Sequence, residues 1–296
     1  MANLPRRPYG KSGDQLSVIG FGGIIVMNAE PEHAARIVAE AVERGVNYFD
    51  VAPSYGNAEA KLGPALEPFR KGVFLACKTA QRERGAAEAD FRGSLERLRT
   101  DHFDLYQLHG LTDVKKDVDV AFGKGGALEL CLAEKKAGRM RHLGFSAHTE
   151  EAALAAMSRY DFDSVLFPLN FCAWWAPGAG DGSGGFGARV VAEARRRGMA
   201  ILALKALARQ QWPENDPRRK TYAKCWYQPV TDRAEVELAL RFTLGLPVTA
   251  AVSPGEEVLL RLALELAPGA KPLTDAESER LRALAASLNP IFSTGG

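Results

Sequence analysis

The chain has 296 residues, 46% hydrophobic and 25% charged, which is ordinary for a globular protein and long enough to bury a sizeable core. Its 38 Lys and Arg nearly balance 36 Asp and Glu, and a net charge of +2 argues against a nucleic-acid or polyanion partner. Cys77, Cys131, Cys172 and Cys225 form no CxxC pair, and "MANLPRRPYG" carries no apolar signal core. A disulfide framework, a metal cluster and a membrane span are therefore not expected, and the cytoplasm is the expected compartment.

The opening "RRPYGKSGDQLSVIGFGG" predicts a short hairpin turning at Gly10 to Gly13, then a strand ending at Gly20 to Gly23. Helical periodicity follows over about 33–44, 58–67, 88–99, 126–137, 150–158, 188–197, 232–244 and 257–266. Between these run the apolar segments "VNYFD", "VFLACK", "FDLYQLH", "RHLGFS", "SVLFPLN", "MAILALK" and "VTAAVS". With the strand before Gly20 they make eight strand–helix units. Pro31 suits a first helical turn, and Gly45, Gly138 and Gly198 suit helix ends that precede a strand. Thr274 caps a terminal helix over about 275–288.

Such alternation demands a parallel sheet, and eight units favour closure into a (β/α)8 barrel with an N-terminal β-hairpin and a C-terminal helix. With no linker or internal repeat, residues 1–296 read as one domain. Two long insertions, 173–187 and 208–232, follow strand ends and are expected to hang over the barrel mouth. The opposite, N-terminal face is expected to be plain. The basic runs Arg195 to Arg197 and Arg218 to Lys220 read as a solvated helix end and a solvated loop.

Four residues carry chemistry. Asp50 and Tyr55 in "FDVAPSYG", Lys78 in "VFLACKTA" and His109 in "FDLYQLHG" each lie at or just past the carboxyl end of an apolar run. In a parallel barrel those ends open on one face. A phenol can protonate a carbonyl oxygen, an ammonium can lower the phenol's pKa, a carboxylate can hold the ammonium, and an imidazole can position the substrate oxygen.

In these motifs, and in "GVNYFDVAPSYG" and "GRMRHLGFS", the chain resembles the aldo-keto reductases, over essentially its whole length. The resemblance implies that Asp50, Tyr55, Lys78 and His109 are the catalytic tetrad, with Tyr55 the proton donor. It also implies a nicotinamide cofactor, NADP with NAD possible, lying across the barrel top. His109 points to carbonyl rather than carbon–carbon double-bond reduction, because relatives with the latter activity replace it.

The resemblance further assigns Gly22 and Gly23 to the nicotinamide approach, and Asp50, Ser146 and Asn170 to the cofactor site. The carboxamide site loses one donor, since Ala147, followed by His148, stands where the family often has Asn. Leu204 replaces an aromatic that stacks on the nicotinamide, and Lys205 beside it reaches toward the pyrophosphate. Arg261 is the cation left for a 2′-phosphate, beside Glu256 and Glu257, so NADPH is expected to be favoured over NADH only weakly.

Trp174 and Trp175 are candidates for an apolar substrate wall, followed by Trp212, Trp226 and Tyr227. "GSGGFG" at 182–187 matches GxGxxG, but about a dozen loop residues separate it from the preceding strand, so it reads as a lid or phosphate-facing loop. His102, His142 and His148 lack metal-ligand spacing, and no metal is assigned.

The expected partner is a small-molecule carbonyl substrate, reduced reversibly to an alcohol. A non-catalytic redox-sensing barrel, and a sugar-active enzyme with tightly held NAD and no net redox change, remain as alternatives. The sequence assigns neither the substrate nor an oligomeric state.

Overall fold

The computed structural model describes residues 4–176 and 184–293. Strands β1 (Arg6–Pro8) and β2 (Gln15–Ser17) form an antiparallel hairpin. Eight parallel strands then close a barrel. They begin with β3 (Ile19–Gly22), β4 (Tyr48–Asp50), β5 (Phe74–Thr79) and β6 (Phe103–Leu111). The wall continues through β7 (Met140–Ala147), β8 (Ser164–Pro168) and β9 (Ala200–Leu204). A small antiparallel pair, β10 (Ala208–Gln210) and β11 (Gln228–Pro229), precedes β12 (Ala250–Val252), which closes between β9 and β3. Each segment expected as a strand is one.

The helices also follow the expected order, at Pro31–Glu43, Ala58–Leu66, Arg84–Arg97, Ala127–Lys136, Glu150–Arg159, Ala188–Arg197, Arg233–Gly245, Glu257–Leu266 and Asp275–Ala286. Pro31 opens its helix, and Thr274 forms a full capping box with Glu277. Gly198 ends helix Ala188–Arg197 at φ 69°, a left-handed conformation that glycine adopts without a Cβ clash. The helix expected from 88 starts earlier, at Arg84, because Gly85 sits in the first turn with nothing near its α-carbon and breaks no packed run.

Strand side chains alternate between the two faces of the wall. Tyr48, Phe74, Ala76, Leu105, Leu166, Ala200, Leu202 and Ala250 fill the interior, and Tyr9 and Leu16 of the hairpin plug it from below. Their outward neighbours, among them Phe49, Leu75, Cys77, Tyr106, Phe145, Val165 and Ile201, form the larger core under the helices. Fully burying each such large apolar side chain contributes roughly 1.5–3 kcal/mol. Continuing the inward register past this packed interior brings Asp50, Lys78, His109, Ser146 and Leu204 to the mouth.

The floor is not plain. A groove of about 1070 Å³ lies there, lined by Asp14, Arg70, Arg99, Asp104 and Arg141. Its charges are spent on one another: Arg70 and Arg141 both meet Asp104, Arg141 also meets Asp14, and Arg99 meets Glu67. It is larger than the cavity at the mouth, and Lys71 and Glu96 line it as well.

Candidate active site

At the mouth a cavity of about 210 Å³ is lined by Asp50, Tyr55, Lys78 and His109 together. Asp50 ends β4, and Tyr55 sits in the tight turn beyond it, where Tyr55 N donates to Ala52 O and Ala58 N donates to Tyr55 O, both at 3.1 Å. Lys78 Nζ donates to Asp50 Oδ1 and, at 3.4 Å, to Val51 O. The other carboxylate oxygen accepts from Tyr48 Oη at 3.1 Å and Gln107 Nε2 at 3.2 Å. Asp50 is therefore fixed from three strands, and it fixes Lys78 beneath the phenol. Lys78 Nζ lies 5.3 Å from the Tyr55 ring centroid, and the His109 ring meets Tyr55 edge-on at 5.9 Å.

The β6–β7 register shifts between Leu108 and Leu111, and Gly110 takes φ 66° in that irregularity. Such bulges re-aim a side chain, here that of His109. Arg82 pins the bulge by donating to His109 O at 2.9 Å and Gly110 O at 3.2 Å, while its Nε meets Asp117 at 2.9 Å. Gly110 N donates to Ser146 Oγ at 2.7 Å.

The electrostatics follow from burial and the one ion pair. Burial opposes a charge on Lys78, but Asp50 outweighs it and holds the ammonium above the ordinary lysine range. Burial, then the nearby Lys78 charge, drives His109 down to about 2, so its ring is neutral at physiological pH. Tyr55 departs from expectation: its pKa is raised, because burial outweighs the lowering pull of Lys78. The phenol thus holds its proton, and Lys78 offsets part of the cost of losing it.

The profile of the aldo/keto reductase family matches residues 18–208, well over half of the chain. The chain belongs to the aldo/keto reductase family. It is 31% identical over 158 residues to an uncharacterized oxidoreductase of Bacillus subtilis, a match covering 49% of each protein. It is 26% identical over 195 residues to L-galactose dehydrogenase of Arabidopsis thaliana, covering 58% of this chain and 57% of that protein. The matches thus span about half the length of these curated relatives. A solved aldo-keto reductase from Bacillus halodurans, 22% identical, superposes with a TM-score of 0.72 over 98% of this chain and 99% of that one, a likeness of fold.

Within this aldo/keto reductase, the other expected site residues divide. Gly22, Ser146, Leu204 and Lys205 line the cavity with the four above. A Cβ on Gly22 would stand 2.5 Å from Ser253 O, so glycine is required there by the adjoining strand end as well as by any ligand. Gly23 is buried and is not part of the cavity lining; a Cβ there would meet Val51 at 2.7 Å. Asn170 is buried behind the lining, its Oδ1 accepting from Ala173 N at 2.9 Å and its Nδ2 without a partner.

Arg261 lies outside the cavity lining, its guanidinium on Glu40 at 2.9 and 3.0 Å and on Glu257 at 3.4 Å. Trp174 and Trp175 do not line the cavity; both pack on Phe242 of helix Arg233–Gly245, with ring centroids 6.0 and 4.6 Å away. Of "GSGGFG", Gly182 and Ser183 lie outside the described residues, and Gly187 begins helix Ala188–Arg197.

The second insertion does reach the mouth. Lys224, Trp226 and Tyr227 line the cavity, while Trp212 donates to Cys225 O at 2.8 Å. Lys224 Nζ donates to Ile25 O, and Lys224 N donates to Glu256 at 2.8 Å, clasping the loop across the barrel end. The sequence reading missed Arg82, Lys224, Ser253 and Phe292. Only Ser253, at a strand end in "VTAAVS", carried a signal that could have found it.

Proposed function

We propose that this aldo/keto reductase carries out NAD(P)H-dependent, reversible reduction of an aldehyde or ketone to an alcohol, with Tyr55 as proton donor. The observation that carries this reading is the Tyr55 phenol standing between Lys78 and His109 at the cavity, with Lys78 held by a buried carboxylate. The cavity residues fit a nicotinamide end. Asn170 Nδ2 is buried with a hydrogen bond still to give, the Ser146 hydroxyl faces the cavity, and Gly22 and Leu204 supply a smooth apolar edge. About 210 Å³ holds one ring and a small carbonyl compound, not a whole dinucleotide.

When bound, a reduced nicotinamide supplies hydride to the carbonyl carbon. Neutral His109 offers one N–H to the carbonyl oxygen, and its buried Nδ1 has no hydrogen-bond partner among the described residues. Tyr55 gives its proton to that oxygen as negative charge develops there. Lys78 then faces the phenolate, and Asp50 keeps the ammonium charged and in place. Tyr48 and Gln107 hold Asp50 on its far side, so the carboxylate cannot swing toward the substrate.

Both cofactors are expected to work, because no free arginine waits for a 2′-phosphate at Arg261. The test is a panel of aldehydes and ketones assayed by nicotinamide absorbance with NADPH and with NADH. Carbonyl-dependent oxidation of the cofactor is expected. Failure with every carbonyl and both cofactors would overturn the reading.

A further inference from the structure

The cavity lining contains one carboxylate, Asp50, and Lys78 already matches it. Two further lysines line the same cavity. Lys224 Nζ is engaged by Ile25 O. Lys205 is not: among the described residues no carboxylate pairs with it and no group accepts a hydrogen bond from its Nζ. It directly follows the β9 strand at φ 59°, a left-handed conformation that a non-glycine residue keeps where its surroundings enforce it.

Lys205 Nζ sits 5.3 Å from the Trp226 ring centroid and 5.2 Å from that of Phe292. Two aromatic faces favour a cation but neutralise nothing. His148 lies against the same Phe292 ring, at 5.0 Å, and lines the cavity beside Lys205. Burial, followed by the Lys205 charge, holds His148 at about 3, so it is a neutral imidazole with an N–H to share. Burial, then Lys78, brings Lys205 itself to about 7, so an arriving anion restores its full charge.

We propose that Lys205 and His148, walled by Trp226 and Phe292, form an anion subsite that selects carbonyl substrates bearing a carboxylate. A carboxylate is favoured over a phosphate because Lys205 is the ammonium held between the two aromatic faces and the cavity is small. The subsite opens on the cavity that holds the reacting groups, since Lys205 and His148 line it together with His109 and Tyr55. This reassigns Lys205 from the cofactor pyrophosphate, and it rests on the reductase reading above.

The test compares 4-formylbenzoate with its neutral methyl ester in the wild type, Lys205→Met and Lys205→Arg. Wild-type kcat/KM is expected to favour the acid by about tenfold or more, and Lys205→Met to erase about tenfold or more of that ratio, mainly through KM. Lys205→Arg, which keeps the charge, should retain the preference and shows that a loss in Lys205→Met is not misfolding. The NADPH Kd, read by nicotinamide fluorescence, should move by less than about threefold.

Equal use of acid and ester by the wild type would overturn the subsite. So would an unchanged ratio in Lys205→Met accompanied by a weakened NADPH Kd, which would return the lysine to the pyrophosphate. Benzoate, which has no carbonyl to reduce, separates the two readings through tryptophan fluorescence. Lys205-dependent benzoate binding without turnover of any carbonyl supports the subsite and sinks the reductase reading. Turnover with no benzoate binding does the reverse.

Discussion

Asp163 on the barrel floor and Lys205 at its mouth are both charged side chains at the ends of barrel strands, and their surroundings are opposite. Asp163 Oδ2 accepts from Leu143 N at 2.8 Å and Lys135 Nζ at 2.6 Å, with His142 close to the other oxygen. Nearby Asp104 collects Arg70, Arg141 and Leu75 N, and Asp14 collects Arg141 and His142. Only the hydroxyls of Tyr9 and Ser164 lack partners among the floor groups named here. At and just behind the mouth, His109 Nδ1 and Asn170 Nδ2 have none among the described residues, and Lys205 Nζ meets only the faces of Trp226 and Phe292. The floor spends its polar groups on the fold, whereas the mouth withholds them for a ligand, at some cost in stability.

Lys78→Met breaks this comparison most severely, because Lys78 serves both ends of the argument. It should suppress turnover by about 10²–10⁴-fold, the usual weight of acid–base catalysis, across the accessible pH range. It also strands Asp50 in the core, and breaking a buried pair costs roughly 3–5 kcal/mol, with the low end expected since Tyr48 and Gln107 still bond the carboxylate. Urea unfolding and steady-state kinetics read the two effects. If only the pH optimum moved while the maximum rate survived, Lys78 would be a minor tuner.

A floor substitution should do the converse. Burial works against the Asp163 charge, but nearby His142 and hydrogen bonds from Lys135 and Leu143 N hold it at about 2, below its usual 3.8. A depressed carboxylate contributes stability that is present above the unfolded value and is lost as pH falls through about 2. Asp163→Asn should therefore cost about 1–2 kcal/mol at neutral pH and flatten the acid limb of the stability curve below pH ~4. Turnover should stay within about threefold of wild type. A large kinetic effect would mean that the two ends are coupled.

The smallest effect concerns the outer rim. With Arg261 tied to Glu40 and Glu257, NADPH should be preferred over NADH by about tenfold or less, or ~1.4 kcal/mol. Glu40→Gln loosens that clamp and should raise the preference by about two- to fivefold, as expected for an exposed ion pair. A wild-type preference above about a hundredfold would place the phosphate on other residues.

The barrel was legible because each strand is a short apolar run bounded by signals such as Gly138 and Gly198, which act within a few residues. The four mouth residues were legible because strand ends in a parallel barrel must converge. What failed depended on distant partners. Trp174 and Trp175 looked available until Phe242 covered them, and Arg261 looked free until Glu40 arrived from the first helix after β3. The direction of the Tyr55 pKa needed the depth of burial, which the tyrosine's neighbours in sequence do not reveal. The floor network needed Asp14 from the hairpin beside Arg141, a separation of 127 residues. Phe292, beyond the last helix, folds back to Lys205 and had no local signal at all.

The central claim, that the proton comes from Tyr55, is tested most directly by Tyr55→Phe. Removing one hydroxyl leaves the ring against Lys78 and His109, so the melting temperature and the NADPH Kd should barely change. Carbonyl reduction should fall by about 10²–10⁴-fold. Turnover within about threefold of wild type would contradict the account, because the proton would then have to come from another group.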